Sequence, residues 1–82
     1  MNKQNDSAAF EQFVSQLEKE YEGKYLPLQE RLANKQKNGK TYPTCWLQNK
    51  KTEQRVLGVM KSKDHISIAD AQEAKAFKFK KD

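Results

Sequence analysis

The chain has 82 residues, of which 35% are hydrophobic, and its mean hydropathy is −1.11. This length and composition allow one small domain with a thin core, spanning residues 1–82. The single cysteine excludes an internal disulfide bond, and no apolar run approaches the ~20 residues of a transmembrane helix. Because the N-terminus also lacks the apolar region of a secretory signal, we expect a cytoplasmic protein that does not contact a membrane.

Charge is distributed unevenly along a chain whose net charge is +5. Residues 1–30 hold three lysines and six acidic residues, which gives a net charge of −3. Residues 31–82 hold thirteen basic and five acidic residues, which gives +8. This asymmetry favours an anionic partner for the second part of the chain. The alternative is a solvated surface, because fourteen of the sixteen basic residues are lysines.

The first part of the chain predicts an amphipathic helix over residues 7–22. Asp6 or Ser7 is a suitable N-cap, because a short side-chain oxygen can accept a bond from a free N–H of the first turn. Gly23 is a suitable residue to end the helix, and residues 1–6 are expected to fray. The apolar residues that recur with helical spacing are Phe10, Phe13, Val14, Leu17 and Tyr21.

Pro27 separates this helix from the next segment. The residue before a proline is driven out of the helical region, and the proline itself suits the first turn of a helix. We therefore expect a second helix over residues 28–37, with Leu28 and Leu32 on one face. One long helix kinked at Pro27 is the competing interpretation. Asn38-Gly39 either closes the helix or forms a turn of its own.

From residue 40 onward, β-branched and aromatic residues predict a three-stranded antiparallel meander. We expect strands over residues 41–48, 54–61 and 65–68, with a hairpin loop between the first two. Both faces of the second strand are apolar, which predicts a central position in the sheet. Pro43 has no N–H to donate to a ladder, so the first strand should be an edge or begin after the proline.

The first strand has two chemically different faces. Period-two alternation puts Tyr42, Thr44 and Trp46 on one face and Cys45 and Leu47 on the other. Which of these faces meets the helix is open at this stage. Trp46 either fills a poor core or contacts a partner.

The last segment is alanine-rich and then alternates phenylalanine with lysine. It predicts a short helix over residues 69–76, then an extended basic tail with residues 80–82 frayed. The expected class is therefore α+β, with one or two N-terminal helices packed on the meander. The predicted core is Phe10, Phe13, Val14, Leu17, Tyr21, Leu32, Trp46, Val56 or Leu57, Val59, Ile66 and Ile68.

No residues in the chain form a recognisable catalytic or metal-binding set. A nucleophilic Cys45 would need a base, and the single histidine, His65, is linked to it by no motif. A strand cysteine beside a tryptophan is more often a small buried hydrophobic residue. One Cys and one His are too few for a structural zinc site. Three isolated glycines form no phosphate loop. We expect a protein that is not an enzyme and needs no cofactor or metal.

Nucleic-acid binding is the function that the basic residues favour. Lysines in loops and tail can converge on one rim and give salt-dependent, largely sequence-independent affinity. Exposed Tyr42 and Trp46 would add surfaces on which bases stack. With two arginines and no recognition-helix pattern, sequence-specific recognition is not indicated. The candidate nucleic-acid contacts are Lys35, Lys37, Lys40, Lys50, Lys51, Arg55, Lys61, Lys63, Lys78, Lys80 and Lys81.

Protein binding is the alternative function. A small inhibitor or adaptor, of the kind that phages and mobile elements encode, would dock through the Tyr42 and Trp46 face or through the helix stripe. The partner would then be a protein or a nucleoprotein complex. Homodimerisation is also open.

Overall fold

Two helices and six strands make up the part of the chain that the computed structural model describes, which is the backbone of residues 3–79 and the side chains of residues 8–79. The class is α+β, as predicted, and all strand pairs are antiparallel. In chain order the elements are α1 (Lys3–Tyr21), β1 (Tyr25–Pro27), β2 (Ala33–Lys37), β3 (Lys40–Asn49), β4 (Arg55–Ser62), β5 (His65–Ala69), α2 (Ala71–Ala74) and β6 (Lys78–Phe79).

The predicted first helix is confirmed as α1, but it begins earlier than expected. Its backbone is helical from Lys3, so Asp6 and Ser7 lie inside the helix and do not cap it. The expected fraying of residues 1–6 stays a prediction, and residues 1–2 and 80–82 lie outside the described residues. Gly23, with φ +76°, adopts the left-handed conformation just beyond the helix, as predicted.

The predicted second helix is wrong, and so is the alternative of one kinked helix. β1 and β2 instead pair with β3, with Pro27 opposite Leu47 and Ala33 opposite Thr44. Asn38 and Gly39 have φ values of +54° and +79° and form the two-residue loop of the β2–β3 hairpin. Asn-Gly is the preferred pair for such a loop because both positions need positive φ. Pairing with β3 therefore overrides the weak helical preference of residues 28–37.

β3 is a central strand, which corrects the prediction of an edge. β4 lies along one side of it, and β1 and β2 lie one after the other along the other side. The backbone N–H and C=O of Trp46 make their hydrogen bonds on the β1 side, so the odd-numbered residues of β3 direct theirs to β4. The β3–β4 ladder begins at Thr44. Pro43 therefore lies just beyond the end of that ladder, where the pairing with β4 needs no N–H from this residue.

The three predicted strands are confirmed as β3, β4 and β5, within a larger sheet than expected. The strand order is β5-β4-β3-β2-β6, and β1 pairs with β3 outside this path. β4 is central, as predicted from its two apolar faces. The sheet has six strands instead of three because β1 and β2, which precede the predicted meander, and β6, which follows it, also pair.

The two faces of the sheet are covered by different parts of the chain. On one face, Cys45 and Leu47 pack with Phe13 and Leu17 of α1. On the other face, Leu57 and Val59 pack with Ala74 and Phe77, and Tyr42 and Trp46 lie against this second cluster. The buried side chains that the predicted core omitted are Lys35, Thr44, Cys45, Leu47, Ala69, Ala74 and Phe77. The predicted core residues that are only partly buried are Phe10, Val14, Tyr21, Leu32, Trp46 and Ile68.

The residues that follow β5, which we call the C-terminal segment (residues 70–79), cross this second face. α2 is shorter than the predicted helix and is capped by Asp70, whose carboxylate accepts a 2.8 Å bond from the N–H of Glu73. Phe77 then packs edge-on against Tyr42 of β3. Beyond it, Phe79 pairs with Lys35 of β2, where the sequence predicted an unpaired extended tail. The segment thus joins the β5 side of the sheet to the β2 edge.

The end of α1 covers the outer edge of β5. The N–H of Ile66 donates to the carboxylate of Glu20, and the hydroxyl of Tyr21 donates to the carbonyl of Ile66 at 2.6 Å. His65 Nδ1 lies 3.0 Å from the second carboxylate oxygen of Glu20. These bonds satisfy the outward-facing polar groups of Ile66, which would otherwise be open to another strand.

Candidate binding face

The face of the sheet opposite α1 brings aromatic and basic side chains together. Directly paired residues of antiparallel strands share a face. The register therefore puts Lys35 beside Tyr42, and Arg55 beside Gln48, on the face that carries Trp46. We call this surface the Trp46 face. It comprises Leu26, Leu28, Lys35, Lys37, Lys40, Tyr42, Trp46, Arg55, Lys61, Phe77 and Phe79.

Lysine ammonium groups lie over four aromatic rings of the Trp46 face. Lys35 Nζ is 5.2 Å from the ring centroid of Trp46 and 4.8 Å from that of Phe79. Lys37 Nζ lies 5.1 Å from the Phe77 ring, and Lys61 Nζ lies 4.9 Å from the Tyr42 ring. At these distances the negative ring faces attract the cations. The ammonium groups of Lys35, Lys37 and Lys61 thus lie among the aromatic rings of this face.

Lys35 and Tyr42 are more enclosed than the sequence suggested. Lys35 belongs to β2 and is only 8% exposed, because its stem is covered by its neighbours. Tyr42 packs against Phe77 at 6.0 Å and carries Lys61 on its ring. Both aromatic residues predicted to contact a partner are only partly buried, and each lines a cleft: Tyr42 one of about 480 Å³ that Lys40, Lys61 and Lys63 also line, and Trp46 the one described next.

A cleft of about 400 Å³ lies beside Trp46, lined by Leu28, Gln29, Trp46 and Arg55. The residues that follow β1 form one wall of it. The N–H of Leu28 donates to the carbonyl of Trp46 at 2.8 Å, and the N–H of Trp46 donates to Gln29 Oε1 at 3.0 Å. These two bonds extend the pairing beyond Pro27 and fix Leu28 and Gln29 against the central strand.

Apolar side chains are left uncovered around this cleft. Leu26 is 49% exposed, Leu28 is 39% exposed and Phe79 is 67% exposed. Within residues 8–79 no other large hydrophobic side chain is as exposed as these three. All three belong to the Trp46 face. An exposed apolar cluster confined to one surface is typical of a binding site.

The candidate basic residues do not converge on one rim. Lys37, Lys40, Lys61 and Lys63 lie near the β2–β3 and β4–β5 turns, at one end of β3 and β4. Lys50 and Lys51 lie in the β3–β4 loop at the other end, and Arg55 lies just beyond that loop. The ten residues of β3 separate the two ends by about 30 Å at the usual rise per residue. Lys78 lies on β6, and Lys80 and Lys81 lie outside the described residues. The Trp46 face connects the two basic ends.

Four of the nine acidic residues within residues 8–79 lie on the opposite layer, whereas Asp70 and Glu73 lie in the C-terminal segment that crosses the Trp46 face. Glu11, Glu18, Glu20 and Glu22 are exposed on or just after α1. Because α1 covers the other face of the sheet, the charge asymmetry along the sequence becomes an asymmetry in space. A molecule with opposite charges on its two sides is oriented by the field of a charged partner.

The structure does not bring Cys45 and His65, the nucleophile and base considered from the sequence, together. Cys45 is 0% exposed on the α1 side, and its burial raises the pKa of the thiol, which disfavours the thiolate. His65 lies on β5, and β4 separates this strand from the strand of Cys45. In the described part of the chain, no group of three or more His, Cys, Asp or Glu side chains could hold a metal ion. Neither helix, as far as it is described, is long and apolar enough to cross a membrane.

The candidate residues predicted from the sequence include Trp46, Arg55 and lysines of the Trp46 face, but not Leu28, Gln29 and Phe79. The missed residues lie on segments that were predicted to be helix or tail. The Asn38-Gly39 pair was the available signal, because a two-residue hairpin loop fixes Lys35 opposite Tyr42. Comparison with known protein families, with curated proteins and with solved structures finds no match to this chain.

Proposed function

We propose that the protein binds nucleic acid through the Trp46 face and catalyses no reaction. The observation that carries this proposal is the interleaving of lysine ammonium groups with four aromatic rings on one face of the sheet. Basic side chains attract the phosphates, and aromatic rings offer surfaces for bases. The acidic α1 layer on the other side disfavours binding there.

Phosphate contacts would come from the exposed basic residues at the two ends of this face. Lys40, Lys61 and Lys63 are exposed at one end, and Lys50 and Arg55 are exposed at the other. A backbone that runs along β3 would meet both groups in turn. Lys35, which is buried between rings, would position Trp46 and Phe79 more than it would contact phosphate.

Binding of a fluorescently labelled oligonucleotide, measured by anisotropy between about 50 and 200 mM salt, tests this proposal. We expect the affinity to fall steeply and linearly on a log–log plot. Replacing Arg55 and Lys61 together with glutamine should weaken binding and reduce the slope by about 1 for each phosphate that is no longer neutralised.

Lys19→Gln is the matched control, because Lys19 is an exposed lysine on α1, in the opposite layer. It removes one positive charge, so it is compared with Arg55→Gln and Lys61→Gln made singly, and it should leave the slope unchanged. Undetectable binding at 50 mM salt, or an equal effect of Lys19→Gln, would refute the proposed interface.

A protein partner is the second candidate, and the exposure of Leu26 and Leu28 favours it. Such a partner would dock on the same face. The helix stripe is less suited to docking, because Phe13 and Leu17 are already buried in the protein's own core. Co-purification from native cells with and without nuclease distinguishes the two candidates, since a protein complex bridged by nucleic acid dissociates on nuclease treatment.

A further inference from the structure

We infer that the ligand of the Trp46 face is a single-stranded nucleic acid that lodges one base in the cleft between Leu28 and Trp46. This inference rests on the proposed nucleic-acid function and specifies its substrate class. It follows from the shape and chemistry of the cleft, and from the exposed ring of Phe79 beside it.

The cleft has the size and lining of a site for one small planar group. Its volume of about 400 Å³ lies within the ~300–1,000 Å³ range of small-molecule sites. Trp46 supplies an aromatic surface, and Leu28 supplies an apolar wall. A base stacked there would exchange water for contact with both side chains, and such stacking tolerates any base because every base has a π face.

Two polar side chains at the cleft match the rest of a nucleotide. Arg55 is exposed, and its planar guanidinium can donate two parallel bonds to a phosphate. Gln29 uses its Oε1 to accept the bond from the backbone of Trp46. Its amide nitrogen is a separate donor, suited to the acceptor groups on the edge of a base. The cleft thus combines a stacking surface, a base-edge donor and a phosphate donor.

Phe79 provides a second stacking surface at nucleotide spacing. Its ring and that of Trp46 each lie about 5 Å from the same Lys35 ammonium, so their centroids are at most about 10 Å apart. Stacked bases along one strand are about 3.4 Å apart, so this separation corresponds to at most about three nucleotide steps. Phe79 is also 67% exposed, which leaves its ring available.

A double helix cannot use these surfaces without being opened. Its bases are stacked on each other and paired, so extruding one costs a few kcal/mol. A duplex would therefore meet only the basic residues, whereas a single strand would meet the basic residues, the cleft and Phe79. Charge complementarity selects a polyanion for this face, and the accessible rings select the single-stranded form.

The intrinsic fluorescence of Trp46 tests the inference directly, because it is the only tryptophan in the chain. The protein would be titrated at about 50 mM salt with oligo(dT), with oligo(U) and with a DNA duplex of the same length. We expect both single strands to quench Trp46 and to bind at least about fivefold more tightly than the duplex, as one stacked base implies. A difference between dT and U would identify the preferred sugar.

Phe79→Leu supplies the second measurement, with Phe10→Leu on α1 as its matched control. Phe79→Leu should weaken single-strand binding about fivefold or more and leave duplex binding unchanged, whereas Phe10→Leu should change neither. Equal affinity for duplex and single strands, without quenching of Trp46, would overturn this inference and leave the proposed function in place. Failure to bind any of the three oligonucleotides would overturn both.

Discussion

The α1 face and the Trp46 face belong to one sheet but differ in how completely they are covered. On the α1 face, Phe13, Cys45 and Leu47 are fully buried. On the Trp46 face, the C-terminal segment covers Leu57 and Val59, whereas Leu28 and the segment's own Phe79 are exposed. We therefore expect substitutions on the α1 face to cost more stability than substitutions at the exposed part of the Trp46 face. The Trp46 face keeps apolar and basic surface that only a ligand would cover.

Helix packing on the α1 face depends on a close approach at Gly58. A Cβ added at this residue would lie 2.7 Å from Leu47 Cδ1 and 2.9 Å from Phe13 Cζ. Both neighbours are fully buried, so neither can move aside without displacing others. On the Trp46 face, by contrast, Trp46 and its neighbours border open space, and changes in side-chain volume should be tolerated better.

Phe13→Ala should give the largest loss of stability and would sharpen this comparison most. Removing a fully buried phenylalanine costs about 3–5 kcal/mol, which is a large fraction of the stability of a small domain. Trp46→Ala should cost roughly half as much, because Trp46 is only partly buried. Urea unfolding followed by circular dichroism measures both. Equal losses would mean that the two faces contribute equally to stability, which contradicts the comparison.

Gly58→Ala should cost about 1–3 kcal/mol through overpacking. The same substitution in a Phe13→Leu background should cost less, because the shorter side chain frees the space that the added methyl needs. A double-mutant cycle by urea unfolding measures this coupling. Additive effects of the two substitutions would show that the added methyl does not press on Phe13, and the closer contact with Leu47 would then account for its cost.

The elements that the sequence predicted correctly are those whose patterns are local. The helical spacing of Phe13, Leu17 and Tyr21 and the alternation through β3 depend only on neighbouring residues. β2 has the sequence ANKQK, which lacks apolar alternation, and it is a strand because the hairpin loop and β3 pair with it. Its conformation is thus determined by contacts that are not visible in its own sequence.

The same distinction applies to the candidate site. The alternation of β3 placed Tyr42 and Trp46 on one face correctly. Leu28 and Phe79 reach that face through pairing with distant strands, Leu28 next to Trp46 and Phe79 next to Lys35. The sequence therefore predicted the centre of the site and not its walls, because the walls depend on long-range register.

Glu20→Gln should give a smaller loss of stability, about 1 kcal/mol near neutral pH. Partial burial acts to raise the pKa of Glu20, but hydrogen bonds from His65, the Ile66 N–H and Gln16 outweigh it and lower the pKa below 4.5. Because the pKa of Glu20 is lower in the folded protein than in the unfolded chain, its ionised carboxylate stabilises the fold at pH values above 4.5. This contribution is lost as the pH falls through the pKa of the folded state. Urea midpoints at neutral and acidic pH measure it.

Glu18→Gln is the matched control for Glu20, because Glu18 is exposed on the same helix and makes no hydrogen bond to β5 within the described residues. The stability difference between wild type and Glu20→Gln should shrink at acidic pH, whereas Glu18→Gln should have little effect at either pH. A difference for Glu20→Gln that does not depend on pH would mean that its carboxylate charge does not hold the β5 edge.

Leu28→Gln should have the smallest effect on stability, within about 0.5 kcal/mol, because Leu28 is already exposed. Its effect on single-strand binding should be larger, since it replaces the apolar wall of the cleft. Leu26→Gln is the matched control, being exposed on the same face but outside the cleft lining. Anisotropy with oligo(dT) should show weaker binding for Leu28→Gln alone. If both substitutions leave oligonucleotide binding unchanged but abolish a protein complex, the exposed leucines serve a protein partner instead.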